Sequence, residues 1–200
     1  MYKNQMLLQR IACFFMLIAC ALVFIYSLGI TTDLYGNKFQ YYAEDIDYPL
    51  VEGSEIYYNI QPFNRQLTTA GLVLFLLAAS LLVFQNHVRR KYYFVNYVTV
   101  GVNAVAGIGV TAWALPIVIS YKEQFLQVDF ENLKYWAEEV LAHEWTDSTF
   151  WFDAAYVVFG VLMVAIAFLL FVTLYKVHVM RAEKAALRSS LRRSKRQSRA

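Results

Sequence analysis

Two hundred residues, 59% of them hydrophobic and only 16% charged, are too apolar for an ordinary soluble domain of this size. The net charge of +3 conceals a sorting: fourteen of the fifteen acids fall on one side of four long apolar segments, and fourteen of the eighteen bases on the other. A membrane sorts charge in this way, so water-soluble classes are set aside at the start.

The first apolar segment covers residues 11–30, close to the roughly 20 helical residues that a hydrocarbon core requires. Leu17-Ile18-Ala19-Cys20 has the form of a lipoprotein cleavage box behind Lys3 and Arg10, yet the apolar run continues past it through Ile25. The segment therefore reads as a retained helix rather than a signal peptide. Ala12, Cys13, Ala19, Cys20 and Ser27 recur every seven positions, a spacing that predicts a small-residue packing seam. The two cysteines stand about 10 Å apart along a helix, too far for an intrachain disulfide, and read as packing residues.

The first long loop, residues 31–68, is crowded with tyrosine. Segments 38–42 and 55–60 are aromatic and β-branched and are flanked by turn residues, which predicts a short β-hairpin lying on the membrane. Tyr41, Tyr42, Tyr48, Tyr57 and Tyr58 are candidates for headgroup anchors or for a partner surface. Glu44, Asp45, Asp47, Glu52 and Glu55 form an acidic cluster without calcium-loop spacing. Counting from Asp45, the sixth position is Leu50 and the twelfth Ile56, where that loop needs glycine and glutamate.

The second and third apolar segments cover residues 69–84 and 94–119, and the connection 85–93 is short enough to force an antiparallel pair. The third carries the most polar row in the membrane: Asn96, Thr99, Asn103, Gly107 and Thr111, one helical turn apart. Two readings are open, the buried seam of a bundle with Asn103 bonded to a neighbouring helix, or the lining of a polar path. Pro116 is expected to end or bend the helix.

In the second long loop, residues 120–149, apolar Phe130, Leu133, Trp136 or Ala137, Val140 and Leu141 recur at helical spacing. They predict an amphipathic helix over about 129–145 with Asp129 as its N-cap and Trp136 joining the partner surface. Glu139, His143 and Asp147 would share a face if that helix ran on, an arrangement suited to zinc or to acid–base chemistry. Thr146-Asp147-Ser148, however, reads as a break that caps the next helix.

The fourth segment covers residues 150–175 and is followed by a tail, 176–200, with nine bases and one acid. Arg181, Lys184, Arg188, Arg192 and Lys195 recur at three or four residues, a basic stripe if the helix continues. With Arg193 and the loop residues Arg89, Arg90 and Lys91 they are candidates for anionic headgroup contact. Nucleic acid and an acidic protein are the weaker partners, because basic residues alone do not say which phosphate they meet.

Short basic flanks are retained in the cytoplasm, so both termini and the 85–93 connection are expected inside, at net +13, and both long loops outside, at net −10, which sum to +3. The expected fold is an all-α integral membrane protein: a single four-transmembrane-helix bundle, N-in and C-in, with a small outer cap. Outer loops without cysteine or an N-glycosylation acceptor point to a multi-pass protein of the plasma membrane, a bacterial inner membrane being the simplest host. The outline resembles that of tetraspan proteins, but the loop cysteines of claudins and tetraspanins are missing, and no family follows from these residues.

Nothing here matches a phosphate-binding loop, a paired-histidine metal helix or a nucleophile elbow, so no catalytic residue, cofactor or metal is expected. The leading expectation is a non-catalytic subunit or accessory factor that meets a membrane protein partner or a second copy of itself. A transporter or channel component using the row on the third helix is the alternative. An outward-facing enzyme using Glu139, His143 and Asp147 comes third.

Overall fold

A computed structural model describes residues 2–29, 52–53, 55–85, 93–135 and 147–197. Within them every regular element is helical: α1 (Tyr2–Gly29), α2 (Ile56–Asn59), α3 (Gln61–Gln85), α4 (Tyr93–Phe125), α5 (Phe130–Lys134) and α6 (Phe150–Gln197). In hydrocarbon each backbone N–H and C=O must find its partner inside the segment, and a lone apolar stretch of this length can do so only as a helix. Four helices, α1, α3, α4 and α6, are long and apolar enough to span a bilayer, which makes the chain a multi-pass helical membrane protein.

The four form a ring. α1 packs on α3 and α6, and α4 packs on the same two, leaving α1 and α4 diagonally opposite. Ring contacts fix the directions: Phe15 of α1 meets Phe168 of α6 edge-on at 6.4 Å, and Tyr26 meets Phe159 at 6.3 Å. Phe63 of α3 lies 5.4 Å from Trp113 and 5.8 Å from Tyr121 of α4. Early residues of one helix thus meet late residues of the next, so neighbours run antiparallel.

The expected seam on α1 is present. Ala12, Cys13, Met16, Ala19, Cys20 and Val23 are all buried. Its mate on α3 is Gly71, where an added Cβ would stand 3.0 Å from the Cα and 3.2 Å from the N of Phe24. Backbones approach that closely only where a side chain is missing, and such packing replaces the hydrophobic drive that lipid does not supply.

Several boundaries differ from those the apolar runs predict. α3 begins at Gln61 rather than at 69, with Pro62 in its first turn, where the missing N–H would be unpaired anyway. α4 does not end at Pro116; it continues to Phe125, because the turns beyond the proline are held by packing. Ala114, Val118 and Phe125 are buried, and the Tyr121 hydroxyl donates to the Asn59 carbonyl at 3.0 Å.

The strand expected over 55–60 is instead a helical turn, α2, leading into α3. Ile56, Tyr57, Ile60, Phe63, Asn64 and Leu67 are buried, a three-and-four spacing that suits a helix and that residue type alone concealed. The other expected strand, 38–42, lies outside the described residues.

At this end of the ring the two long connections meet. Gly53 has φ +80°, and a Cβ there would come 3.1 Å from the Cα of Val128. Glycine suits both the left-handed backbone and the close approach. The Asp129 N–H donates to the Glu52 carbonyl at 3.1 Å across the same junction. Beneath it Phe125, fully buried, is ringed by Tyr57 at 6.0 Å, Phe130 at 5.2 Å and Phe152 at 5.2 Å.

Candidate functional site

The polar row of α4 forms much of its inward face. Asn96 and Asn103 are buried, Gly107 is buried, and Thr99 and Thr111 are half-buried. Three of its hydrogen bonds are intrahelical: Asn103 Nδ2 donates to the Thr99 carbonyl at 2.9 Å, Thr99 Oγ1 to the Asn96 carbonyl at 3.0 Å, and Thr111 Oγ1 to the Gly107 carbonyl at 2.8 Å. Asn103 therefore bonds to its own helix and not to a neighbour as its position suggested. Its Oδ1 has no hydrogen-bond partner among the described residues, although the side chain is only 1% exposed.

Gly107 sets the spacing of this face. A Cβ there would lie 2.7 Å from Ile166 Cδ1 and 3.7 Å from Leu162 Cδ1, so α6 is pressed against the middle of the row. The arrangement does what close helix packing in lipid requires: hydroxyls fold back onto carbonyls one turn earlier and a glycine admits the neighbour.

The aromatic candidates divide. Tyr57 is 2% exposed and packs under Phe125, so it belongs to the interior of the junction and not to a partner surface. Burial holds its hydroxyl above the ordinary tyrosine range, and the negative charge of Asp147 adds to that shift. Tyr41, Tyr42, Tyr48 and Trp136 lie outside the described residues, as does the side chain of Tyr58.

Asp129 caps α5 as expected: its carboxylate accepts from the Asn132 N–H at 3.1 Å. Leu133 is buried and Tyr135 exposed, and residues 136–146 are outside the described set. Glu139 and His143 thus lie outside the described residues, while Asp147 is exposed in a non-helical stretch before α6. The break is visible: Ser148 Oγ accepts from the Phe150 N–H at 3.3 Å, and the Thr149 hydroxyl donates to Asp153 at 2.8 Å. Among the described residues no group of histidine, cysteine or carboxylate could hold a metal.

Two polar pairs escaped the reading of the sequence. Lys122 Nζ of α4 meets Asp153 Oδ1 of α6 at 2.6 Å, a partly exposed ion pair tying the two helices near their connected end. At the opposite end Gln5 Nε2 donates to Gln9 Oε1 at 3.1 Å, both side chains being buried. The glutamines at i and i+4 were a signal for the second pair; nothing local marked the first, whose members are 31 residues apart.

Compared with protein family models, curated proteins and solved structures, the chain matches none.

The tail candidates fall on α6, which runs 48 residues, about 72 Å, without interruption. Arg181 and Lys184 are exposed; Arg188, Arg192 and Arg193 follow on the same helix. Arg89, Arg90 and Lys91 are outside the described residues.

Proposed function

We propose that the protein is a non-catalytic subunit or accessory factor of a membrane assembly. In this reading both termini face the cytoplasm of a bacterial cell, the two long connections form an outer cap, and the bases nearest the bilayer, Arg89, Arg90, Lys91, Arg181 and Lys184, meet anionic headgroups. A membrane protein partner or a second copy is met through the acidic, aromatic outer connections and the basic helix. The observation that carries it is the contrast along α6: one side of its apolar half packs on α1 and α4, while its basic end continues to Gln197 as a helix. A helix that continues so far past its apolar half is suited to reach something else.

Purification in mild detergent, with the mass of the particle read in solution, tests this. The expected result is a copurifying membrane protein or a discrete oligomer; a lone monomer across detergents and lipid supplements overturns it.

A transport path along the row of α4 is the second reading, supported by the unpaired Asn103 Oδ1 and opposed by the seating of Ile166 against Gly107. Replacing Asn103→Leu separates the two. Removing a buried, half-satisfied amide is expected to leave stability unchanged or raise it by up to about 1 kcal/mol, with the assembly intact. Loss of a solute flux with an intact assembly would favour transport.

A further inference from the structure

Ala155, Leu162 and Leu169 stand seven residues apart on α6, and all three are buried in the ring. The next member of that row is Lys176, which is half-buried. α1 passes α6 antiparallel, with Phe15 against Phe168 and Tyr26 against Phe159. Eight residues past Phe168 and eight before Phe15, Lys176 therefore stands level with Leu7, and Gln5 and Gln9 flank that level on the buried side of α1.

A lysine at the end of a span ordinarily extends its stem toward water. Lys176 leans the other way. Helical side chains tilt toward the N-terminus of their helix, which for α6 is into the ring. Its ammonium is partly withdrawn from water and lies within electrostatic reach of Cys13, six residues of α1, or about 9 Å, deeper than Leu7. The charge is thus held in the mouth between α1 and α6, at the level of two buried amides joined by the 3.1 Å bond from Gln5 Nε2 to Gln9 Oε1. An ionisable group on the inward side of a span is costly in hydrocarbon, and such groups mark places where ions or polar ligands are met.

Depth and sign say which ligand suits it. Lys176 is the first residue past the apolar segment, so the phosphate groups of the adjoining leaflet stand at its level. Arg10, Arg181 and Lys184 are exposed around the same end, and every carboxylate whose side chain is described belongs to the opposite end of the ring. A basic pocket between spans fits an anionic headgroup. A free phosphate ion would meet the same charge but gain nothing from Ile11 and Ile18, which α1 exposes one and three turns deeper, where acyl chains would lie.

We infer that the mouth between α1 and α6 binds the phosphate group of an anionic lipid, with the Lys176 ammonium and the Gln5 and Gln9 amides around the phosphate and the acyl chains along α1. The site is separate from the looser headgroup contact of Arg181 and Lys184, and it requires no protein partner, so it stands or falls apart from the assembly reading.

The test uses the full-length protein in nanodiscs of phosphatidylcholine with a minor share of phosphatidylglycerol, the lipids that stay with the protein being counted by native mass spectrometry. One phosphatidylglycerol is expected to remain on the wild-type chain. Lys176→Gln should lower its retention about tenfold, the scale of a lost hydrogen bond between charged groups. Lys176→Arg should keep it, because charge and donors remain. Gln9→Leu is expected to lower it about threefold, while Arg181→Gln with Lys184→Gln leaves the retained molecule in place. An unchanged unfolding transition reports that the ring is intact, and where Lys176→Gln unsettles it, Gln9→Leu and the double variant carry the comparison.

A second arm takes the protein stripped of lipid. Phosphatidylglycerol is expected to raise its unfolding temperature, and inorganic phosphate to leave it unchanged. A rise with inorganic phosphate alone overturns the lipid as the source of the phosphate. Equal retention by the wild type, Lys176→Gln and Gln9→Leu, or phosphatidylcholine held as firmly as phosphatidylglycerol, overturns the site.

Discussion

α1 and α4 sit at opposite corners of the ring and use small residues differently. On α1 every member of the seven-residue repeat turns inward: Ala12, Cys13, Ala19, Cys20 and Ser27 are buried. On α4 the glycines are split. Gly107 receives Ile166, whereas Gly101 and Gly109 have nothing within 4 Å of where a Cβ would stand, and Val105 between them is 72% exposed. A small residue thus marks close approach only where a neighbouring helix occupies the space it leaves. On α1 the repeat and the neighbours agree; on α4 small residues lie on both the packed and the open side.

Substitutions that fill these spaces test the contrast, and thermal unfolding in detergent measures them. The largest loss is expected at the mate of α1. Gly71→Val presses on the backbone of Phe24, which cannot rotate away, so α1 and α3 must part, at a cost of about 3 kcal/mol. Gly107→Val is expected to cost about 1–2 kcal/mol, because the atom in its way is the end of the Ile166 side chain, which has other rotamers. The smallest effect belongs to Gly109→Ala, a gain of about 0.5 kcal/mol from helix propensity with no contact disturbed. Equal losses at Gly71 and Gly109 would erase the distinction between the two corners.

The spans were legible because hydrocarbon thickness and backbone satisfaction leave a long apolar run little choice. The seam on α1 was legible for a related reason: one periodicity, uninterrupted, pointed one way. Residues 55–60 misled because Ile56, Tyr57, Tyr58 and Ile60 suit a strand by type, and the burial of Ile56, Tyr57 and Ile60, with Tyr57 against Phe125, goes with the helical turn. Of the two outcomes expected at Pro116, an end or a bend, the end is not found, since a single lost hydrogen bond is outweighed by the contacts of Val118, Tyr121 and Phe125.

For the candidate site, spacing alone placed Asn96, Asn103 and Gly107 on one side of α4. It did not show that Asn103 bonds to its own helix, because that depends on how closely α6 approaches. The Lys122–Asp153 pair was invisible for want of any local pattern joining two segments.

The ring also has a consequence for synthesis. Of the four spans α1 leaves the ribosome before the others, yet one of its two flanks is covered by α6, the latest of the four. Until the fourth span has entered the bilayer, Phe15 and Tyr26 face lipid or a chaperone instead of Phe168, Trp151 and Phe159. The earliest helix is thus the one whose burial is completed at the last step, and a nascent chain halted before α6 would display that unfinished flank to the quality-control machinery of the membrane.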